Sequence, residues 1–230
     1  MRIAYRNLLE TANLSTTSEH TSYPLTNILH RWKRRVYRTQ QGVSTAIITA
    51  IFDEVSLVRS FFIVYHNCND IQVRFYDDND DLLDTWNVDR GSYHDEIEVK
   101  KVEIELTSPT DLYVGNIFIG SSLFFNKESD QDIPLTSSDV ATFSSDFQVS
   151  GREGSIIREG TIVIPALSIK ERKQIEEVFY SCGLIKPFYL DLWDKSPEAF
   201  DVVFGVFTTE LGVRHLEEGD TVSFGFREVN

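Results

Sequence analysis

The stretch ALSIKERKQIEEVFYSCGLIKPFYLDL, residues 166–192, carries the clearest structural statement in the chain. Ser168 and Glu171 stand at the S-x-x-E spacing of a capping box, in which each partner satisfies an otherwise orphan backbone donor. Ile175, Val178, Phe179 and Cys182 follow at i, i+3, i+4 and i+7, one apolar stripe of 3.6-residue period. Lys170, Glu171, Lys173, Glu176 and Glu177 cover the opposite face. Gly183 stands where a residue closing a helix needs positive φ, and Pro187 keeps the helix from resuming. The spacing predicts one amphipathic helix that runs into a strand from Phe188. The rest of the chain reads as strands.

Working outward, residues 141–149 and 155–165 read as strands before the helix, and 188–193, 201–208 and 221–228 after it. The order ββαβββ describes a compact α+β domain in which the helix covers a sheet. Ahead of it, NKESDQDIPLTSSD is polar and carries a proline, which marks a linker. Before that linker come residues 43–52, rich in β-branched side chains, and 56–66, a nearly continuous apolar run. A hairpin over 71–76 and 82–88 follows, then the alternating strand 97–106 and a closing strand 112–120. Six or more strands punctuated by turn signals read as a β-sandwich. The expected fold is therefore mainly β, with a sandwich over 1–125 and a one-helix α+β domain over 126–230.

The 230 residues are 41% hydrophobic and 12% aromatic, enough for real cores. A net charge of −14 argues against general nucleic-acid binding, which needs a basic surface, and against attachment to anionic membranes. Cys68 and Cys182 lie in apolar patterns and match no metal spacing, so they read as reduced core thiols. The first residues have no apolar signal core, and no window approaches 18 uncharged apolar residues. The expectation is a soluble protein without a secretion signal.

Catalytic and metal motifs are missing. His20, His30, His66, His94 and His215 have no partner at metal-ligand spacing. No nucleophile elbow, zincin helix or phosphate loop occurs, and Gly151 and Gly154 suit a hairpin turn. Read as an EF-hand, the acidic run from Asp77 puts Leu82 at the position that requires glycine and Val88 at the position that requires glutamate. An acidic hairpin turn fits better than a looser Ca²⁺ loop. Asp53 and Glu54 read as solvated acids in a turn. No enzyme activity and no cofactor are expected.

Two groups of residues invite a binding role. The run HRWKRRVYRT places Arg31, Lys33, Arg34, Arg35 and Arg38 together in an acidic protein. It reads either as a patch that meets an acidic neighbour, such as another copy, or as a charged strand edge that deters unwanted pairing. Trp32, Trp86 and Tyr93 are candidate platforms for a sugar, with core or rim packing as the alternative.

Two stretches resemble known families. The segment from Tyr23 to Gly120, with YPLTNILHRWKRRVYRT, AIITAIF, LVRSFFIVYHNCNDIQVRFYD and LYVGNIFIG, resembles galactose-binding-like (discoidin-type) sandwiches found in tail proteins of long-tailed bacteriophages. The string REGTIVIPALSIKERKQIEEVFYSCGLIKPFYLDLWD, followed by VVFGVFT and TVSFGFREV, resembles the ring-forming domain of phage distal and minor tail proteins. Gly183, Pro187, Phe188, Phe204, Gly205 and Glu228 stand at that family's positions. The resemblance implies a tail-tube-like fold in a virion tail tip, made in the host cytoplasm. It also implies assembly into a ring, usually sixfold, that docks other tail proteins. Here the sandwich comes first, the reverse of the order in the better-known distal tail proteins. The helix face of Lys170, Lys173, Glu176 and Glu177 and the basic run would then contact neighbouring copies. The alternative function is an adhesin that recognises a host surface glycan through the sandwich.

Overall fold

The computed structural model describes residues 2–30, 35–88, 91–125, 130–132, 135–137, 140–143, 149–152, 156–191 and 202–229. The first half runs through β1 (Arg2–Ala4), β2 (Asn13–Thr16), β3 (Tyr37–Arg38), β4 (Thr45–His66), β5 (Asp70–Tyr76), β6 (Leu82–Asn87), β7 (Gly91–Thr107), β8 (Tyr113–Gly120) and β9 (Leu123–Phe124). Two 3₁₀ turns, Leu8–Glu10 and Leu25–Leu29, interrupt it. The second half adds β10 (Asp130–Asp132), β11 (Leu135–Ser137), β12 (Val140–Phe143), β13 (Val149–Arg152) and β14 (Ile156–Leu167). Then follow helix α1 (Ile169–Cys182), β15 (Phe188–Asp191), β16 (Val202–Phe207), β17 (Gly212–Leu216) and β18 (Gly219–Glu228).

The sandwich is one antiparallel sheet folded over on itself, in the order β3-β8-β4-β7-β5-β6, with β2 added beside β4. The two expected strands 43–52 and 56–66 are a single strand, β4, so Asp53 and Glu54 do not form a turn. They lie where the β4–β7 register shifts between Ile51 and Ser56. Lys100 in β7 donates to the Asp53 carbonyl across that irregularity. A bulge of this kind bends a strand and raises its twist. Before the bend β4 pairs with β2 and with the second half of β7; beyond it β4 pairs with β8 and with the first half of β7. Two layers result. Their inner faces share one core, with Ile48, Ile104 and Val73 from one layer and Phe61, Ile63, Ile117 and Ile119 from the other.

The second sheet runs β10-β14-β18-β16-β15-β1-β9, with β11 beside β14 and β17 beside β18. Helix α1 covers it as the sequence predicts. The Ser168 hydroxyl accepts from the Glu171 amide and the Glu171 carboxylate accepts from the Ser168 amide. Ile175, Val178 and Cys182 are buried against Ile162, Leu190, Phe224 and Phe226. Gly183 has φ 54°, and its amide closes the helix on the Phe179 carbonyl.

β1 is the unexpected member. Ile3 is fully buried between Leu190 of β15 and Leu123 of β9, so the start of the chain and the end of the expected sandwich segment both belong to the second sheet. Ala4, Phe62, Phe118, Tyr189 and Phe204 form a small aromatic core that joins the two halves. The Phe62 and Tyr189 rings stack within it at 5.6 Å.

Candidate functional site

The polar end of the sandwich lies where β4 turns into β5. Tyr65 has φ 56°, a conformation uncommon for a bulky side chain, and is 45% exposed. Its ring lies 5.7 Å from that of Tyr113, the first residue of β8. Asn67 fastens this corner. Its amide donates to the Thr110 hydroxyl at 3.1 Å and to the Asp111 carbonyl at 2.8 Å, and its oxygen accepts from the Tyr113 amide at 2.8 Å. Next in the chain, Cys68, Asn69, Asp70 and Ile71, together with Asn87 and Val88, line an open pocket of about 260 Å³.

The pairing of Gln72 with Asn87 brings the two walls together. Gln72 donates to the Asn87 side-chain oxygen at 3.2 Å, which leaves the Asn87 amide hydrogens for another acceptor. Asn69 and Asp70 are exposed. Burial pushes the Cys68 thiol up to about 12, so it is a neutral wall group and not a nucleophile. The cavity thus offers amide donors and a carboxylate acceptor over a small apolar floor, the groups that pair with hydroxyls.

The outer sheet face continues this polar surface. Arg74 pairs with Glu105 at 2.5 Å and also bonds Gln72. The Tyr76 hydroxyl donates to Glu103 at 2.8 Å, and Lys101 lies over the Tyr76 ring at 4.1 Å while pairing with Asp80 at 2.6 Å. The hydrogen bond to Glu105 raises Arg74 above the ordinary guanidinium value, and the one to Asp80 raises Lys101. These charges are fixed through neutral pH and tie one another in place. In the 77–81 turn, the Asp77 carboxylate accepts from the amides of Asn79 and Asp81 at 2.8 and 2.9 Å. That is an Asx-type turn, the better-fitting of the two expectations for this run.

The other sequence-derived candidates scatter. Trp86 is 2% exposed, packs at 4.2 Å on Phe75 and donates through Nε1 to Asp84. It is a core residue and offers no ring face to a sugar, because the β6 alternation points it inward. Trp32, Arg31, Lys33 and Arg34 lie outside the described residues, as does the side chain of Tyr93. Arg35 bonds the His30 ring, and Arg38 lies over the Tyr23 ring. On α1, Lys170 and Lys173 are exposed, whereas Glu176 pairs with Arg172 at 2.7 Å and Glu177 pairs with Arg6 of the N-terminal segment. The pocket that does form, lined by Asn69, Asp70 and Asn87, was not singled out from the sequence. Its residues come together through the β5–β6 register.

The sequence matches no family model and no curated protein. Several solved structures are similar to about half of the chain. One is chitosan-binding module 1 of a chitosanase/glucanase from Paenibacillus sp. IK-5, at 10% identity and TM-score 0.43, covering 51% of this chain and all of that one. A second is the lectin domain of lectinolysin complexed with Lewis B antigen, at 13% identity and TM-score 0.43, covering 50% and 97%. A third is a Ruminococcus gnavus GH29 fucosidase in complex with fucose, at 13% identity and TM-score 0.45. That match covers 51% of this chain but only 27% of the fucosidase. At these TM-scores the likenesses carry no weight for ligand or activity.

Proposed function

We propose that the protein is a carbohydrate-binding protein without catalytic activity, which holds a surface glycan at the polar end of its N-terminal sandwich. The observation that carries this is the open pocket of about 260 Å³ lined by Asn69, Asp70 and Asn87, which follows in the chain the corner that Asn67 fastens and the exposed Tyr65. Sugars need this combination. Amides and carboxylates exchange hydrogen bonds with hydroxyls, and a ring face covers the apolar side of a pyranose. The corner is held by Asn67 before any ligand arrives, so little ordering is lost on binding. The test is a glycan array probed with the full chain. Binding to a defined glycan class, weakened at least tenfold by Asn87→Ala and by Tyr65→Ala, supports the proposal; an empty array opposes it.

A second reading is a structural protein of a phage tail tip that assembles with copies of itself. The observation that favours it is the exposed apolar group Tyr180, Leu184 and Ile185 at the end of α1. An exposed apolar patch, where it is large and contiguous, marks a contact site for another molecule. Light scattering separates the outcomes: a ring-sized mass that falls on Ile185→Asp supports assembly, and a monomer at every concentration opposes it.

A further inference from the structure

Three tyrosines, a histidine and an arginine form one stripe across the outer face of the layer that holds β3 and β8. Tyr37 and Val114 lie opposite each other in the β3–β8 ladder, and both are buried in the sandwich core. The next pair, Arg38 and Tyr113, therefore points away from that core, because successive side chains of a strand alternate. The Arg38 guanidinium lies 4.5 Å over the Tyr23 ring, and the His20 ring lies 5.2 Å beyond it. On the other side the Tyr65 ring lies 5.7 Å from that of Tyr113. Tyr23 and Tyr65 are 36% and 45% exposed, and Arg38 is exposed between them.

The backbone fixes this stripe at both ends. The His20 amide donates to the Arg38 carbonyl at 2.9 Å, and the Arg38 amide donates to the Tyr23 carbonyl at 3.2 Å. At the far end Asn67 holds the Tyr113 amide, and Tyr65 is kept at φ 56°. Such backbones cost free energy in a side chain with a Cβ, and they gather at ligand sites. The charge of Arg38 is the second observation. Among the described residues no carboxylate pairs with its guanidinium, although the protein carries a net charge of −14. The acids that flank the stripe in sequence are engaged elsewhere: Glu19 accepts from the Leu25 amide and Asp111 from the Gly42 amide. An arginine laid on an aromatic face keeps the N–H donors at its edge for a carboxylate.

We infer that the glycan is an acidic one: an oligosaccharide with a single carboxylate, which Arg38 takes while the neighbouring sugar rings cover Tyr113 and Tyr65. This rests on the glycan reading and names its ligand class. A polyanion is disfavoured by the charge of −14, so one carboxylate on an otherwise neutral chain fits best. The pocket lined by Asn69 and Asn87 carries its own carboxylate, Asp70, and therefore takes the neutral end. The reach agrees. Four residues of chain from Tyr65 to Asn69 span at most roughly 14 Å, so a trisaccharide is long enough to touch both places.

Titration of the full chain with sialyllactose and with glucuronosyl-xylobiose tests the inference, each acid beside its methyl ester, which keeps the sugar and removes the charge. The expected result is saturable binding of at least one acid, about tenfold tighter than its ester, the scale of one charge-assisted hydrogen bond. In Arg38→Gln, at an exposed position that leaves the core alone, acid and ester bind equally. In Asn87→Ala both forms weaken together and the preference for the acid remains. Acid and ester that bind equally in the wild type, and both weaken in Asn87→Ala, overturn this inference and leave the glycan reading standing. A preference that survives Arg38→Gln, or no saturable binding of either acid, overturns it as well.

Discussion

Ala4 lies directly opposite Tyr189 across the β1–β15 ladder, so the first residues of the chain join a sheet whose other strands come from its second half. The same strand pairs on its other side with β9, at the end of the sandwich segment. Arg6–Glu177 and Glu10–Lys186 ion pairs continue this tie along the helix and the loop that follows it. The N-terminal segment therefore works as a strap across both halves.

Loosening the strap should destabilise the second sheet. Ile3 is fully buried between two strands, and Ile3→Ala is expected to cost about 3 kcal/mol, the usual scale for removing a buried branched side chain. Urea unfolding checks this. A change within experimental error would mean that β1 is not held in the sheet.

The helix cap offers a smaller and cleaner test. Ser168→Ala removes the hydroxyl that accepts from the Glu171 amide and leaves the core untouched. The expected loss is about 1 kcal/mol, read as a lower Tm, with far-ultraviolet circular dichroism unchanged at room temperature.

Asp77 gives the chain a local acid response. The amides of Asp81 and Asn79 hold its carboxyl below the usual carboxylate range. A lowered folded value means that the stabilising contribution is present above the unfolded value and is lost as pH falls through the folded one. NMR titration should show this carboxyl ionising below the usual carboxylate range. In Asp77→Asn the acid-side change in the amide signals of Asn79 and Asp81 should disappear.

Trp86 separates core from ligand surface. Trp86→Ala should cost about 4 kcal/mol because it empties the contact with Phe75. Trp86→Phe, which keeps an apolar ring, should leave glycan affinity unchanged in folded protein. Affinity lost in a stable Trp86→Phe variant would place this ring at the ligand after all.

How much of this was legible in the sequence follows from what each element depends on. α1 was readable because a capping box, a periodic stripe and a terminal glycine all act within one segment. β4 was not, because Asp53 and Glu54 look like a turn until Lys100 on another strand bonds the backbone there. β1, three residues long, has too few positions to show a period. β17 is exposed along its whole length and shows no alternation to read. The pocket beside Asn67 was hidden for the same reason. The positive φ of Tyr65 and the meeting of Asn69 with Asn87 are set by tertiary pairing, whereas Trp86, the more conspicuous aromatic, was claimed by the core.

The most direct test of the central claim is calorimetric titration of the full chain with the best glycan from an array, beside the double variant Asp70→Ala/Asn87→Ala. The account expects saturable binding with one site in the sandwich, weakened at least a hundredfold in a double variant that keeps the wild-type Tm. Equal affinity in the two proteins, or no measurable heat with any glycan, would contradict it.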